Sequence, residues 1–397
     1  MTKDKDTNLE SNSNVVKLRN THPVRTFFSF ILLLLIISAI ILFTLLKSSG
    51  YDFKSMSVKD AFSYLTTQAN NNDQNQIISF SINGSGDYKL FKNYIVLVSK
   101  DGVKWFDKSG KLLQEKAMTL IQPVLKTSGS YMAVADVGGR DVYVFKDKSL
   151  LWNKKLDDEI ISVNINEWGV SSIVMQSKEF KTSVQVYDEN GVDKYTKMCA
   201  EDIVLSAMVL KSGENVVLNK LSTDGVKTGT TLEFLNIYEE KPIATININE
   251  QIAPVLFSTG KTQVAIGANI IVAADEDGKE LWRKSANLIY CTAPETSKYI
   301  VYSGVFSENG KDTNKVITIN SEGETVYSFN INEKILGMHL YGDRVALRTQ
   351  RSVYLYTLKG QKVSEYHSPN EIQDVYLTGK KQIVLMHGGS ISVMNMD

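Results

Sequence analysis

The chain has 397 residues, 43% of them hydrophobic, and its 44 basic residues are balanced by 44 acidic ones. A neutral chain with interspersed signs has no electrostatic footprint for nucleic acid, which excludes that class of partner. Abundant Ile, Lys and Asn with few Pro and Cys point to a bacterial chain from an AT-rich genome.

The N-terminal head, Met1 to Thr26, is polar and reads as disordered. Phe27 to Leu46 then carries no charge and only Ser29, Ser38 and Thr44 as polar members. Twenty helical residues reach about 30 Å, the thickness of the hydrocarbon core, so this run is expected to be a transmembrane helix. It exceeds a signal-peptide core, and Lys47-Ser-Ser-Gly50 is a poor cleavage site. No lipobox-like cysteine follows. Lys17, Arg19 and Arg25 before the run match Lys47, Lys54 and Lys59 after it. The positive-inside rule therefore ties. The short head, with Lys3 and Lys5 besides, favours a cytoplasmic N-terminus, an extracytoplasmic remainder and a bacterial cell-membrane, single-pass protein.

Residues 47–76 form a stalk. Ser57-Val-Lys-Asp60 resembles a capping box, and Val58, Ala61, Phe62, Leu65 and Ala69 follow at helical spacing. This predicts a short amphipathic helix, suited equally to the remainder of the chain or to a membrane surface. Asn70 to Gln76 is a polar linker.

From Ile77 to Asp397 a unit of about 42 residues repeats. Seven copies align on one strand and turn, beginning at Val103, Val142, Val184, Leu232, Ile270, Val316 and Val353. Short strands at this period predict an all-β β-propeller. After Gly360 the chain supplies Asp374 to Leu377, Gln382 to Met386 and Ser390 to Met394, then stops where the next turn would be. The spare strand Ile77 to Ile82 can complete that last blade and remove its free edge. The count is eight blades, with seven as the alternative because the first unit has a weak inner strand near Tyr88. Aromatic residues alternate with polar ones on the aligned strands (Trp105, Tyr143, Phe145, Tyr187, Phe234, Tyr354, Tyr356) and are expected to pack between blades. Cys199 and Cys291 fall about three blades apart, too far for a disulfide.

Asp275-Glu-Asp-Gly-Lys-Glu-Leu-Trp282 resembles the repeat of quinoprotein-like (PQQ-type) eight-bladed propellers, and residues 107–113 and 147–152 are weaker copies. WD40-like repeats share the period. The whole layout resembles a family of Gram-positive membrane-anchored propellers without an assigned function. The quinoprotein resemblance would imply a bound quinone, a calcium ion and an Asp base. The chain lacks most of the signature tryptophans; only Trp152 and Trp282 fit.

Site chemistry is sparse. In an EF-hand register, Asp275-Glu-Asp-Gly278 would place Lys279 and Ala286 at ligand positions, so a hairpin turn accounts for it better. Gly260-Lys-Thr262 lacks the first glycine of a phosphate loop. His22, His339, His367 and His387 have no metal-ligand spacing. No Gly-x-Ser-x-Gly elbow occurs. The expectation is no catalytic residue, no cofactor and no metal, hence no enzyme.

Three b–c connections are long: Gln176 to Thr182, Leu221 to Thr230 and Val305 to Asn314. Long loops on a rigid scaffold are where binding concentrates. They carry Lys178, Glu179, Lys181, Asp224, Lys227, Glu308, Lys311 and Asp312 as candidate binding residues. The function expected is a membrane-anchored scaffold or sensor that binds a protein or envelope polymer. A quinoprotein-like enzyme and an envelope assembly factor are the alternatives.

Overall fold

The computed structural model describes residues 78–396 with short gaps (82–85, 93, 109, 212, 225–226, 240, 294–298 and 309), and also Leu33. The expected head, membrane span, stalk helix and linker otherwise lie outside the described residues. Among the described residues no helix is long and apolar enough to cross a membrane.

Strands assemble into eight four-stranded sheets, each ordered a-b-c-d. Blade one spans residues 86–117, two 123–155, three 159–199, four 203–248, five 255–285, six 288–331, seven 337–367, and eight 372–395 with 78–81. This settles the blade count at eight. The inner strand of blade one, Gly86–Phe91, is fully formed and pairs with Tyr94–Ser99.

The ring is closed twice over. Ile78–Ser81 pairs antiparallel with Ser390–Asn395 in the register Ile78↔Val393 to Ser81↔Ser390, so an N-terminal strand is the outer strand of the C-terminal blade. Each pair of neighbouring blades also shares one hydrophobic cluster. Tyr88, Ile95 and Leu97 of blade one meet Val384, Met386 and Ile391 of blade eight. The other seven interfaces are filled the same way. The aligned aromatics lie in these clusters as expected; Trp105, for example, meets Phe145 edge-on at 5.4 Å.

The c–d turns explain why the repeat is visible. Asp275 Oδ1 accepts the backbone N–H of Asp277 (3.1 Å) and of Lys279 (2.8 Å), and Gly278 adopts φ +79°. The ladder shifts between Ala273 and Ala274. The motif is thus a turn closed by a G1-type bulge, with the carboxylate satisfied by the backbone. The same bonding recurs at Asp107 and Asp188, and with an amide at Asn320.

Candidate functional site

Antiparallel a-b-c-d order puts every d–a and b–c connection on one face and every a–b and c–d turn on the other. Because Ile78 pairs low on the last c strand and Ser81 pairs next to the b–c turn, the chain enters the ring from the a–b/c–d face.

Two of the three segments expected to be loops are hairpins. In blade four the b strand runs Asn215–Asp224 and the c strand Lys227–Asn236, laddered to the tip pair Asp224↔Lys227. In blade six Tyr299–Glu308 and Lys311–Asn320 pair to Glu308↔Lys311. The inner neighbours stop at Leu221 and Val305, and the outer ones at Thr230 and Asn314. Three residues per strand therefore stand clear, a rise of about 10 Å at about 3.3 Å per residue. Blade five between them has a short b–c turn closed by Gly267 N–H to Ile270 O at 2.8 Å. Blade three has the one expected loop, residues 177–181, folded over Ser177 Oγ, which accepts from Glu179 and Phe180 at 3.3 Å each.

Each of these elements ties back to a neighbouring d–a segment. Lys181 Nζ donates to Glu201 O at 2.6 Å, Lys227 pairs with Glu250, and Asn287 Nδ2 donates to Ser307 Oγ at 2.7 Å, with Ser307 also bonded to Asp312. Lys178, Glu179, Lys181, Lys227 and Lys311 are exposed. The candidate residues thus share one face, on blades three, four and six.

Sequence reasoning missed three features. First, hydroxyls where the c strand first pairs with its d strand staple adjacent blades: Thr182 Oγ1 donates to Asp202 O (2.9 Å) and accepts from Val204 N–H (3.1 Å), and Thr230 bridges Gln251 and Ala253 alike. Second, Lys220 sits under the blade-four hairpin, 2.7 Å from Asp202 and 3.1 Å from Glu233. Burial opposes its charge, but these two bonds prevail and raise its pKa. Third, a cavity of about 330 Å³ opens on the same face at blade eight, lined by Asn370, Glu371, Gln373, His387, Gly388 and Ser390. His387 Nδ1 lies 3.0 Å from Glu371 O. The signal for the staples was a Thr at a fixed place before the aligned strands; nothing local marked the cavity.

At the ring axis, Asp87, Lys89 and Lys126 lie on the inner strands of blades one and two, and Asp374 on that of blade eight. Asp87 is open to solvent yet surrounded by protein, the geometry of a channel lining. Burial raises its pKa, Lys89 opposes, and Asp374 adds to the rise. Lys126 is lowered by burial and then by Lys89. Lys89 Nζ donates to Leu125 O at 2.9 Å. The group carries two charges of each sign, and the Lys89 bond to Leu125 ties blade one to blade two. His339 Nδ1 accepts from Leu377 N–H at 3.0 Å, and His367 Nδ1 meets Ser352 Oγ at 2.8 Å. Among the described residues no group of three His, Cys, Asp or Glu could hold a metal ion. Both cysteines are free.

The fold compares with several solved propellers. BamB from Moraxella catarrhalis aligns at 12% identity and TM-score 0.52, covering 80% of this chain and 96% of that one. Sqt1 from Saccharomyces cerevisiae aligns at 11% and 0.56, covering 81% and 97%. The C-terminal WD40 domain of Sif2 aligns at 12% and 0.57, covering 82% and 99%. At such identities the likeness is one of fold. No curated protein matches the sequence. Residues 66–396 match the family of unknown function DUF5711, and the chain belongs to it.

Proposed function

We propose that this protein is a single-pass, membrane-anchored, extracytoplasmic propeller that serves as a binding scaffold or sensor for a protein or envelope polymer, and that it catalyses no reaction. The observation that carries the reading is the pair of hairpins in blades four and six, laddered to their tips on the face opposite the one at which the chain enters. A rigid prominence is preorganised for contact, since little side-chain and backbone freedom is left to lose on binding. The uncharged run Phe27 to Leu46 supports the anchor.

The test replaces residues 222–229 and 307–312 with two-residue Asn-Gly turns and shortens 177–181 likewise, leaving Phe306, which packs on the cluster between blades five and six. The removed residues lie beyond the ladders to the inner and outer strands, so the melting temperature is expected to hold. Crosslinking in membranes followed by purification should then lose the same partner from the shortened chains. Retention of every partner by a chain that still melts normally refutes the binding face.

A further inference from the structure

We infer that the channel mouth on the hairpin face docks a polypeptide segment carrying aliphatic and basic side chains together. This rests on the binding-face reading and names the chemistry of its partner.

Each blade presents the start of its inner strand at that mouth. In blades four, five and six the first residue is Ile203, Val255 and Leu288, and in blade seven Leu336 immediately precedes the strand. Their relative exposures are 41%, 52%, 36% and 40%. Ile121, just before the inner strand of blade two, reaches 70%. At the opposite ends of the inner strands the aliphatics are covered: Ile165, Val209 and Leu377 are at most 9% exposed, and the exposed apolar groups there are the aromatics Tyr341 (45%) and Trp168 (42%). The exposure of aliphatic side chains is therefore polarised to one mouth, and it forms an arc across four consecutive blades. Exposed aliphatics gathered in this way mark an interaction site.

The charge around the arc specifies the partner further. In the described d–a segments Lys334 is the only basic residue; Arg348, from blade seven's b strand, spends its guanidinium on Leu336 O (2.8 Å) and Ile372 O (2.7 Å), and Lys100, Arg140 and Arg351 lie in b–c turns of the same face. Asp202 and Glu250 are taken by Lys220 and Lys227, and Glu333 accepts from the Tyr354 hydroxyl. Asp157, Asp158, Glu201 and Glu371 form no ion pair among the described residues, and Glu371 also lines the blade-eight cavity at one end of the arc. The ring region as a whole is near neutral, so this acidity is local. A polyanionic envelope polymer would be repelled here, and a neutral glycan would leave the aliphatics without a counterpart. A segment alternating basic and aliphatic residues matches both, and its charge would speed encounter.

The probe is a synthetic peptide of alternating Lys and Leu, with Glu-Leu and Lys-Ser peptides of equal length as comparators. Each is titrated by fluorescence anisotropy against the full chain in zwitterionic nanodiscs, with empty nanodiscs subtracted. The Lys-Leu peptide should bind tightest and weaken with salt. Val255→Ser with Leu288→Ser, and separately Glu201→Lys with Glu371→Lys, should each weaken it about tenfold or more. Asp277→Lys with Glu322→Lys, on the c–d turns of the other face, should leave it unchanged. Equal binding of the Glu-Leu peptide, or an equal loss from the opposite-face pair, overturns the inference. So does self-association of the chain that Val255→Asp abolishes, which would make a second copy the occupant. Should the peptide fail while the hairpin truncations still release a crosslinked partner, the binding face stands and only this partner chemistry falls.

Discussion

At the scale of residues, glycine and tryptophan lock one blade onto the next. Trp282, on the outer strand of blade five, donates from Nε1 to Ser321 O at 2.9 Å in the c–d turn of blade six. Gly323 of that turn adopts φ +78°, and a Cβ there would lie 2.4 Å from Trp282 Cγ. Gly213, in an a–b turn, has φ +74° but open space around it. Gly213→Ala should cost only the left-handed penalty of about 1–2 kcal/mol. Gly323→Ala should add an overpacking cost of about 1–3 kcal/mol, because the ring is held and cannot move aside. Calorimetric unfolding of the two variants measures the difference; equal losses would mean that Trp282 yields freely. The buried thiols and phenols set a pH dependence. Burial pushes Cys291 and Tyr302 each up to about 12, and Tyr187 rises to about 12 through burial and then Asp193. Above pH of about 9, near the unfolded thiol value, the unfolded chain releases these protons first, so stability falls as pH rises from there toward 12. Below that window these groups contribute no slope. Denaturant midpoints between pH 7 and 11 should decline only on the alkaline side, and a flat profile contradicts the assignment.

At the scale of elements, the strand Ile78–Ser81 matters beyond its length, because its four register pairs join the two ends of the ring. A chain beginning at Asn83 loses those backbone bonds, each contributing about 0.5–1.5 kcal/mol net, and bares the outer edge of Ser390–Asn395. It should melt several degrees below a chain beginning at Asn72 and aggregate through that edge. Identical melting and solubility would show that the eight apolar interfaces close the ring unaided. This closure was legible in the sequence, because counting strands from the C-terminus leaves one blade short of its outer strand. The c strands and their turns were legible too, since Asp, Gly and alternating apolar residues recur at a fixed period. The inner strand Gly86–Phe91 read weakly because it carries Asp87 and Lys89 toward the axis, which breaks the apolar pattern. The hairpin extensions passed for loops because, apart from Phe306 and Gly229, which pack back on the ring, their residues are polar and mostly solvent-facing, so no period-2 signal survives in Ser222 or in Lys311 and Asp312. The mouth aliphatics were hidden for the opposite reason: Ile203 and Val255 look like ordinary strand residues until the ring shows which strand ends are uncovered.

At the scale of the whole molecule, the ring's cohesion is spread over eight similar interfaces, and it follows that proteases should find few openings within it. Exposed backbone in a laddered hairpin is a poor substrate, because cleavage requires local unfolding. The tips at Lys227 and Lys311 are held by the end pairs Asp224↔Lys227 and Glu308↔Lys311. The polar linker Asn70 to Gln76, with no predicted strand or helix, is the expected point of attack in a chain whose basic residues flanking Phe27 to Leu46 leave the orientation tied. Limited proteinase K treatment of intact, wall-stripped cells should therefore release a ring fragment whose new N-terminus falls near residues 70–77, while a cytoplasmic control protein stays whole. The released fragment should keep its cooperative melting transition, since Ile78–Ser81 is retained. A ring that is protected in intact cells and cut only after lysis would reverse the orientation and place the hairpin face in the cytoplasm. A ring digested internally at the hairpins before the linker would refute their rigidity, and with it the physical basis for assigning them to binding.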